Sequence, residues 1–287
     1  MAILVVGGTG TVGSTLARNL AKSGRDVRIM TRSPDKAAAL PKGVEGVVGD
    51  LDRPETLETA FGGASALFLA TPLGATEAAC GLAAVAAARE AGIGRIVYMT
   101  IHKLEAGAHI PHFGAKISVV QAVEKSGIPY TLIAPNNFFQ NDLWLKEAIL
   151  QFGVYPQPLG DVGLSRVDVG DIADAAVTAL TEPGHEGKTY PLVGPEAWTG
   201  PESAEAWSHA LGHTVHYGGD DLDAWSEQVS AMMPPWLVHD LRIMYRWQQE
   251  NGQIATPDDL AACTAILGRP PRGYEDFVAE TAAVWKA

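Results

Sequence analysis

The stretch that most constrains this chain is Ala2–Gly13, Ala-Ile-Leu-Val-Val-Gly-Gly-Thr-Gly-Thr-Val-Gly. A short apolar run meets a cluster of glycines, and Val12, Leu16 and Leu20 then follow at helical spacing. Gly8-x-Gly10-x-x-Gly13 and Gly7-x-x-Gly10-x-x-Gly13 are both present. Either pattern predicts a buried parallel strand that turns sharply and starts a helix whose open N–H groups face an anion. A side chain at the central glycines would block a pyrophosphate from the backbone, so Gly7, Thr9, Gly10, Thr11 and Val12 are expected to cradle one. A merely structural turn is the competing reading, but it does not call for a buried strand before the glycines and an amphipathic helix after them.

The same alternation continues. Apolar runs at Ile3–Val6, Val27–Met30, Val44–Val48, Ala66–Ala70, Arg95–Thr100 and Tyr130–Ile133 are expected strands. Val12–Lys22, Pro54–Phe61, Thr76–Ala91 and Phe113–Lys125 are expected helices. Strands rich in Val, Ile and Leu that alternate with helices predict an α/β fold, a doubly wound parallel sheet covered on both faces. Ligands of such sheets sit at the carboxyl ends of the strands, which gives weight to Thr71 and Pro72 after the fourth run and Thr100 and His102 after the fifth. Past Phe152 the pattern changes to a proline loop, a helix over Val169–Leu180, an extra strand over Thr189–Val193 and a mainly helical remainder. The expected division is a core over residues 1–153, joined by a strand near 188–194, and a smaller, mainly helical C-terminal lobe over 154–287.

Composition removes several classes of function. With 21 basic and 33 acidic residues the formal charge is −12, which disfavours direct binding to nucleic acid or to an anionic membrane. Cys80 and Cys263 make no disulfide framework and no metal-ligand spacing, so no metal is expected and both read as buried small residues in a reducing cytoplasm. The N-terminus reads as a strand and not as a signal peptide, and the Ala-rich run from Ala78 to Ala91 is too short to span a bilayer. A small-molecule substrate is the expected partner, and a homo-oligomer is compatible with everything above.

The end of the second strand chooses between dinucleotides. An acidic residue about twenty positions past the glycines binds the ribose diol of NAD. Here Thr31-Arg-Ser-Pro-Asp-Lys occupies that place, and Arg32 stands 19 residues after Gly13. A guanidinium there pairs bidentately with a 2′-phosphate, with Ser33 and Lys36 as companions, so NADP(H) is the expected cofactor. Asp50 and Leu51, after the third strand, suit the adenine, although Asp at such a place equally serves a turn.

These stretches, together with Ser126-Gly-Ile-Pro-Tyr-Thr-Leu-Ile-Ala-Pro-Asn-Asn-Phe-Phe and Leu267-Gly-Arg-Pro-Pro-Arg-Gly-Tyr-Glu-Asp-Phe-Val, resemble the NmrA-like branch of the atypical short-chain dehydrogenases/reductases. The resemblance spans nearly the whole chain. It implies a Rossmann-type domain with a small C-terminal lobe and NADP(H) in the cleft between them. Two activities remain open within it: an NADPH-dependent reductase of carbonyl, quinone or conjugated compounds, and a non-catalytic NADP(H)-binding redox sensor.

One departure matters. Where short-chain dehydrogenases carry Tyr-x-x-x-Lys, this chain reads His112-Phe-Gly-Ala-Lys116. The resemblance implies a cofactor-ribose role for Lys116, which periodicity puts at the edge of a stripe formed by Phe113, Ile117 and Val120. His112, one turn earlier, is the candidate proton donor, with His102 and Thr100 as competitors. After the sixth strand, Pro135, Asn136 and Asn137 offer backbone groups to a nicotinamide amide and Phe138 offers a ring. Trp144, Tyr155, Met232, Met233, Trp236 and Tyr245 are candidates for an apolar substrate pocket, although such residues more often form core.

Overall fold

The computed structural model describes residues 2–41 and 43–286. In chain order the elements are β1 (Ala2–Val6), α1 (Thr11–Lys22), β2 (Val27–Thr31), α2 (Pro34–Ala38), β3 (Val44–Val48), α3 (Leu57–Phe61), β4 (Ala64–Leu69), α4 (Glu77–Glu90), β5 (Ile96–Met99), α5 (Pro111–Glu124) and β6 (Tyr130–Pro135). Then follow α6 (Lys146–Phe152), β7 (Val154–Tyr155), α7 (Val169–Thr181), β8 (Lys188–Leu192), α8 (Gly200–Leu211), β9 (His216–Tyr217), α9 (Leu222–Val229), α10 (Pro235–Asn251), α11 (Pro257–Leu267) and α12 (Tyr274–Lys286). Short 3-10 turns cover Pro54–Thr56 and Phe139–Leu145.

Seven strands form one sheet in the order β3-β2-β1-β4-β5-β6-β8. The pairs from β3 through to β6 are all parallel. At the far edge Gly187 N donates to Tyr130 O and Asn136 N to Leu192 O, so β8 runs alongside β6 in the same direction. The order reverses between β1 and β4, which is the switch point of a Rossmann-like sheet. All six expected strands and the extra one are present, as is the doubly wound α/β fold. The short helix α2 was not expected. Ser33 caps it by accepting from Lys36 N at 3.2 Å, and Pro34 fills its first position.

The chain divides into two compact units, Met1–Ala134 with Val169–Pro191, and Pro135–Asp168 with Leu192–Ala287. The expected division has its cut after residue 153 instead. The first unit ends within β6, and α7 returns to it because Ile172, Ala175, Ala176, Ala179 and Leu180 give that helix a continuous apolar side. α7 packs on α1, and Asn19 Nδ2 donates to Asp174 Oδ1 between them at 3.1 Å.

In the first unit, Leu4, Val6, Leu67, Leu69 and Tyr98 point from the strands into one cluster with Phe61, Ala84, Ala88, Val119 and Val123 from α3, α4 and α5. The small residues of α4 let α5 approach closely. A Cβ on Gly81 would lie 2.4 Å from a methyl carbon of Val119, so the two helices touch at a place only glycine can occupy. Four residues before Gly81 stands Glu77, and three before Val119 stands Lys116. The helix contact thus brings these two charged residues together one turn nearer the carboxyl edge of the sheet.

The second unit is built around a buried ion pair. Arg166 and Asp142 are both fully buried, with an N–O distance of 2.6 Å. Asp142 also accepts from Tyr155 Oη at 3.1 Å, Trp207 Nε1 at 3.1 Å and Tyr274 Oη. Arg166 in turn donates to Asn137 Oδ1 at 3.2 Å and Phe138 O at 3.0 Å, and its guanidinium lies 4.7 Å from the centre of the Tyr274 ring. Burial, with the Asp142 charge added, pushes the Tyr274 phenol far up, so it remains a proton donor to the carboxylate. Among the described residues, no helix is long and apolar enough to cross a membrane.

Replacing Arg166 by Met keeps the volume but leaves Asp142 charged, buried and short of donors. Unfolding by denaturant should show a loss of roughly 3–5 kcal/mol. A change below about 1 kcal/mol would mean that the pair is not the organising contact of this unit.

Candidate cofactor and active site

The turn after β1 is shaped as its glycines require. Gly7 has φ +83°, and a Cβ on Gly13 would lie 2.3 Å from Gly7 O. Gly13 is thus demanded by the protein itself, because α1 presses on the turn at that point. Gly10 differs. It has an ordinary φ of −86°, and the one atom near its absent Cβ is Gly7 O at 3.3 Å. Little in the protein needs glycine there, whereas an anion lying against the backbone would.

The helix start agrees. Gly10 provides no side-chain cap, and the first turn of α1 holds no acidic residue. The positive end of the helix is therefore uncompensated. Thr9, Gly10 and Thr11 are exposed, while the Val12 side chain is in the core, leaving only its backbone for a ligand. These residues fit a pyrophosphate.

Arg32 is exposed at the end of β2 and makes no ion pair among the described residues; Lys36 is exposed in α2. Both can meet a phosphate. Ser33 already serves as the cap of α2, although its hydroxyl proton can still be donated. The adenine residues are less open. Asp50 Oδ1 accepts from Asp52 N at 3.2 Å in a local turn, and Leu51 is 7% exposed within the core cluster. The turn reading of Asp50 is the one this geometry displays, and Leu51 packs inward instead of presenting its side chain to a ring.

Lys116 holds the main surprise. The stripe of α5 that faces the core is Phe113, Lys116, Val119 and Val123, so the lysine lies within it and not at its edge, while Ile117 and Val120 are half-buried. Burial of an ammonium calls for a partner. Lys116 Nζ lies 2.5 Å from Glu77 Oε1 and 3.0 Å from Thr71 Oγ1. Thr71 Oγ1 donates to the same Glu77 oxygen at 2.7 Å. Thr71 sits just beyond β4 and Glu77 opens α4, so the triad lies at the carboxyl edge. Pro72, next to it, is exposed. Behind them, burial pushes the Tyr98 phenol up; the Thr71 hydroxyl pulls the other way and Glu77 adds to the rise. Glu77 was not among the expected site residues. Its only signal in the sequence was an acid opening a helix next to one that carries a lone lysine on its apolar face.

The proton-donor candidates stand in different surroundings. Thr100 and His102 are each 4% exposed after β5, and Thr100 Oγ1 has no hydrogen-bond partner among the described residues. Lys103 beside them has φ +58°, an uncommon conformation for a non-glycine residue. His112 is half-buried, and its ring meets the Phe113 edge at 4.8 Å.

Pro135, Asn136, Asn137 and Phe138 belong to the second unit, where the two asparagine side chains are already engaged. Asn136 donates to Gln253 O at 2.6 Å, and Asn137 accepts from Arg166. Their sequence motif thus has a structural use, as does the Gly-Tyr-Glu-Asp-Phe stretch, whose Tyr274 binds Asp142. The residues expected to line an apolar pocket differ in exposure. Tyr155 and Tyr245 are buried, Met233 is half-buried, and Trp144, Met232 and Trp236 are exposed.

The model of the NmrA-like family matches residues 1–267. The chain belongs to the NmrA-like family. A relative from Xenophilus azovorans, an NAD(P)H azoreductase, is 36% identical over 99% of both chains. Among solved structures, the NADPH-dependent quinone oxidoreductase QOR2 of Escherichia coli, complexed with NADPH, superposes with TM-score 0.87 at 25% identity, covering 99% of this chain and 100% of the other. The Citrobacter sp. triphenylmethane reductase complexed with NADP(H) gives 0.85 at 26% identity over 98% and 99%. Of the motifs that carried the resemblance, the glycine turn is open to a ligand, whereas Pro135–Phe138 and the Gly-Tyr-Glu-Asp-Phe stretch make internal contacts of the second unit.

The two glycines should separate when mutated. Gly13→Ala should destabilise by about 1–3 kcal/mol or more through collision with the turn. Gly10→Ala should cost no more than about 1 kcal/mol, as a poorer N-cap, yet weaken NADPH binding in calorimetric titration. Equal effects of both variants on stability, with binding unchanged by Gly10→Ala, would remove the anion from this turn.

Proposed function

We propose that the protein is an NADPH-dependent reductase that transfers hydride to a small, largely apolar carbonyl, quinone or other conjugated acceptor. The observation that carries the reading is the buried Lys116 ammonium at the carboxyl edge of the sheet, beside an uncompensated helix start in the same unit. The ammonium is held there by Glu77 and Thr71, at the edge where ligands of such sheets bind. The names of the similar proteins support it too. An azo compound, a quinone and a triphenylmethane dye are all conjugated systems, and that class is the substrate proposed here.

The backbone at Gly7, Thr9, Gly10, Thr11 and Val12 receives the pyrophosphate, and Arg32 with Lys36 receives the 2′-phosphate, with Ser33 donating its hydroxyl proton. Asp50 lies beside the adenine. Lys116 and Thr71 hold the nicotinamide ribose next to Pro72. When bound, NADPH supplies the hydride. His112 is the assigned proton donor to the reduced acceptor, with His102 and Thr100 as alternatives. The protein acts in the cytoplasm on small molecules, as a monomer or a homo-oligomer, and its charge of −12 gives nucleic acid no electrostatic hold. A redox sensor of the same family is the second reading, and the histidine at position 112 in place of a tyrosine favours it.

NADPH should bind more tightly than NADH by about 1.5–3 kcal/mol, or roughly ten- to a hundredfold, through charge-assisted contacts to the 2′-phosphate. Titrating both cofactors into the wild type and Arg32→Ala checks this, and the variant should lose affinity for NADPH selectively. Equal affinities in the wild type would exclude Arg32 from the role.

Turnover is tested with a panel of quinones, azo compounds, triphenylmethane dyes, aromatic ketones and enones, matching NADPH consumption to reduced product. Lys116→Ala should impair the reaction, and His112→Phe should lower kcat more than cofactor affinity. Tight NADPH binding without product from any member of the panel would favour the sensor.

A further inference from the structure

We infer that Glu77 is a positioning residue, which acts with Thr71 to hold the Lys116 ammonium in place at the carboxyl edge of β4. The inference rests on the proposed role of Lys116 toward the cofactor and adds a residue to it.

The geometry is a closed triangle. Lys116 Nζ donates to Glu77 Oε1 at 2.5 Å and to Thr71 Oγ1 at 3.0 Å, while Thr71 donates its single proton to the same Glu77 oxygen at 2.7 Å. Each group fixes the next. Thr71 cannot turn away without losing one bond as donor and one as acceptor. An ammonium carries three donors, and these contacts use two. The third remains for a ligand, on an ammonium whose position two helices and a strand end have set.

The energetics do not favour such a pair for stability alone. Glu77 is 1% exposed, and its Oε2 has no hydrogen-bond partner among the described residues. A buried carboxylate with one oxygen unsatisfied is costly, and apolar residues of like volume would fill the same space at least as well. The cation is also matched by one anion, so the pair offers directed N–H groups without net charge. The close contact of Gly81 with Val119 holds both helices at the spacing that this pairing needs.

The test uses the full-length protein in four forms beside the wild type: Glu77→Ala, Glu77→Gln, Lys116→Met and Glu77→Ala with Lys116→Met. NADPH affinity is read by titration, steady-state kinetics by kcat and KM, and stability by denaturant unfolding without cofactor. Glu77→Ala should weaken NADPH binding by about tenfold, the worth of one charge-assisted hydrogen bond. The double variant should bind no worse than Lys116→Met, because both act through one group. Unfolding should part from binding in the double variant. Glu77→Ala strands a buried cation and loses stability, and the double variant recovers it without recovering NADPH affinity. Glu77→Gln, which keeps an oxygen for Nζ and Thr71, should retain most of the affinity. Wild-type NADPH affinity and kinetics in Glu77→Ala, or a Gln variant that restores stability but not affinity, would overturn the inference. Should Lys116→Met itself bind and turn over as wild type, the role of Lys116 falls instead, which is a separate result.

Discussion

The carbonyl oxygen of Gly7 occupies the place where a side chain at position 13 would have to begin, 2.3 Å from any Cβ built there. That contact presses the first turn of α1 onto the end of β1. Because β1 lies at the switch point of the sheet, between β2 and β4, the contact also sets the edge from which every ligand must approach. The carboxyl ends of β2 and β4 follow from its register with them. Arg32 and Thr71 come just after those ends. What a reader of the sequence sees as a glycine pattern is, physically, one excluded volume that orients a whole face of the unit.

The buried pairs Arg166–Asp142 and Lys116–Glu77 lie in different units and are built differently. Asp142 is saturated, with Arg166, Tyr155, Trp207 and Tyr274 supplying donors to both of its oxygens. Such a carboxylate has nothing left to offer, and its cost of desolvation is met inside the unit. Glu77 shares one oxygen between two donors and leaves the other without any. The saturated pair belongs to architecture. The incomplete one lies at the carboxyl edge of the sheet, where ligands of such folds bind.

Strands were legible because parallel sheets bury both faces, so that Ala-Ile-Leu-Val-Val and its counterparts stand out as apolar runs. The start of α1 was legible for the same kind of reason. The stripe of α5 was misplaced by a residue or so, because Ile117 and Val120 are as apolar as Val119, and only the fit of Val119 against Gly81 decides which of them turns inward. Glu77 escaped notice since no pattern along one helix reveals a partner on another. The division after residue 134 escaped as well. It depends on α7 packing with α1, a contact between segments about 150 residues apart, as the Asn19–Asp174 bond shows.

The donors around Asp142 are spread along the chain, and Tyr274 follows it by 132 residues. A ribosome delivers residues in order, so Asp142 emerges long before the hydroxyl that completes its surroundings. Tyr155, Arg166 and Trp207 follow at shorter separations, and Tyr274 completes the set from α12. A carboxylate buried before that last hydroxyl joins has one donor fewer to offset its lost water. The polar centre of the second unit is thus a lock whose last pin lies far along the chain from the charge that it secures.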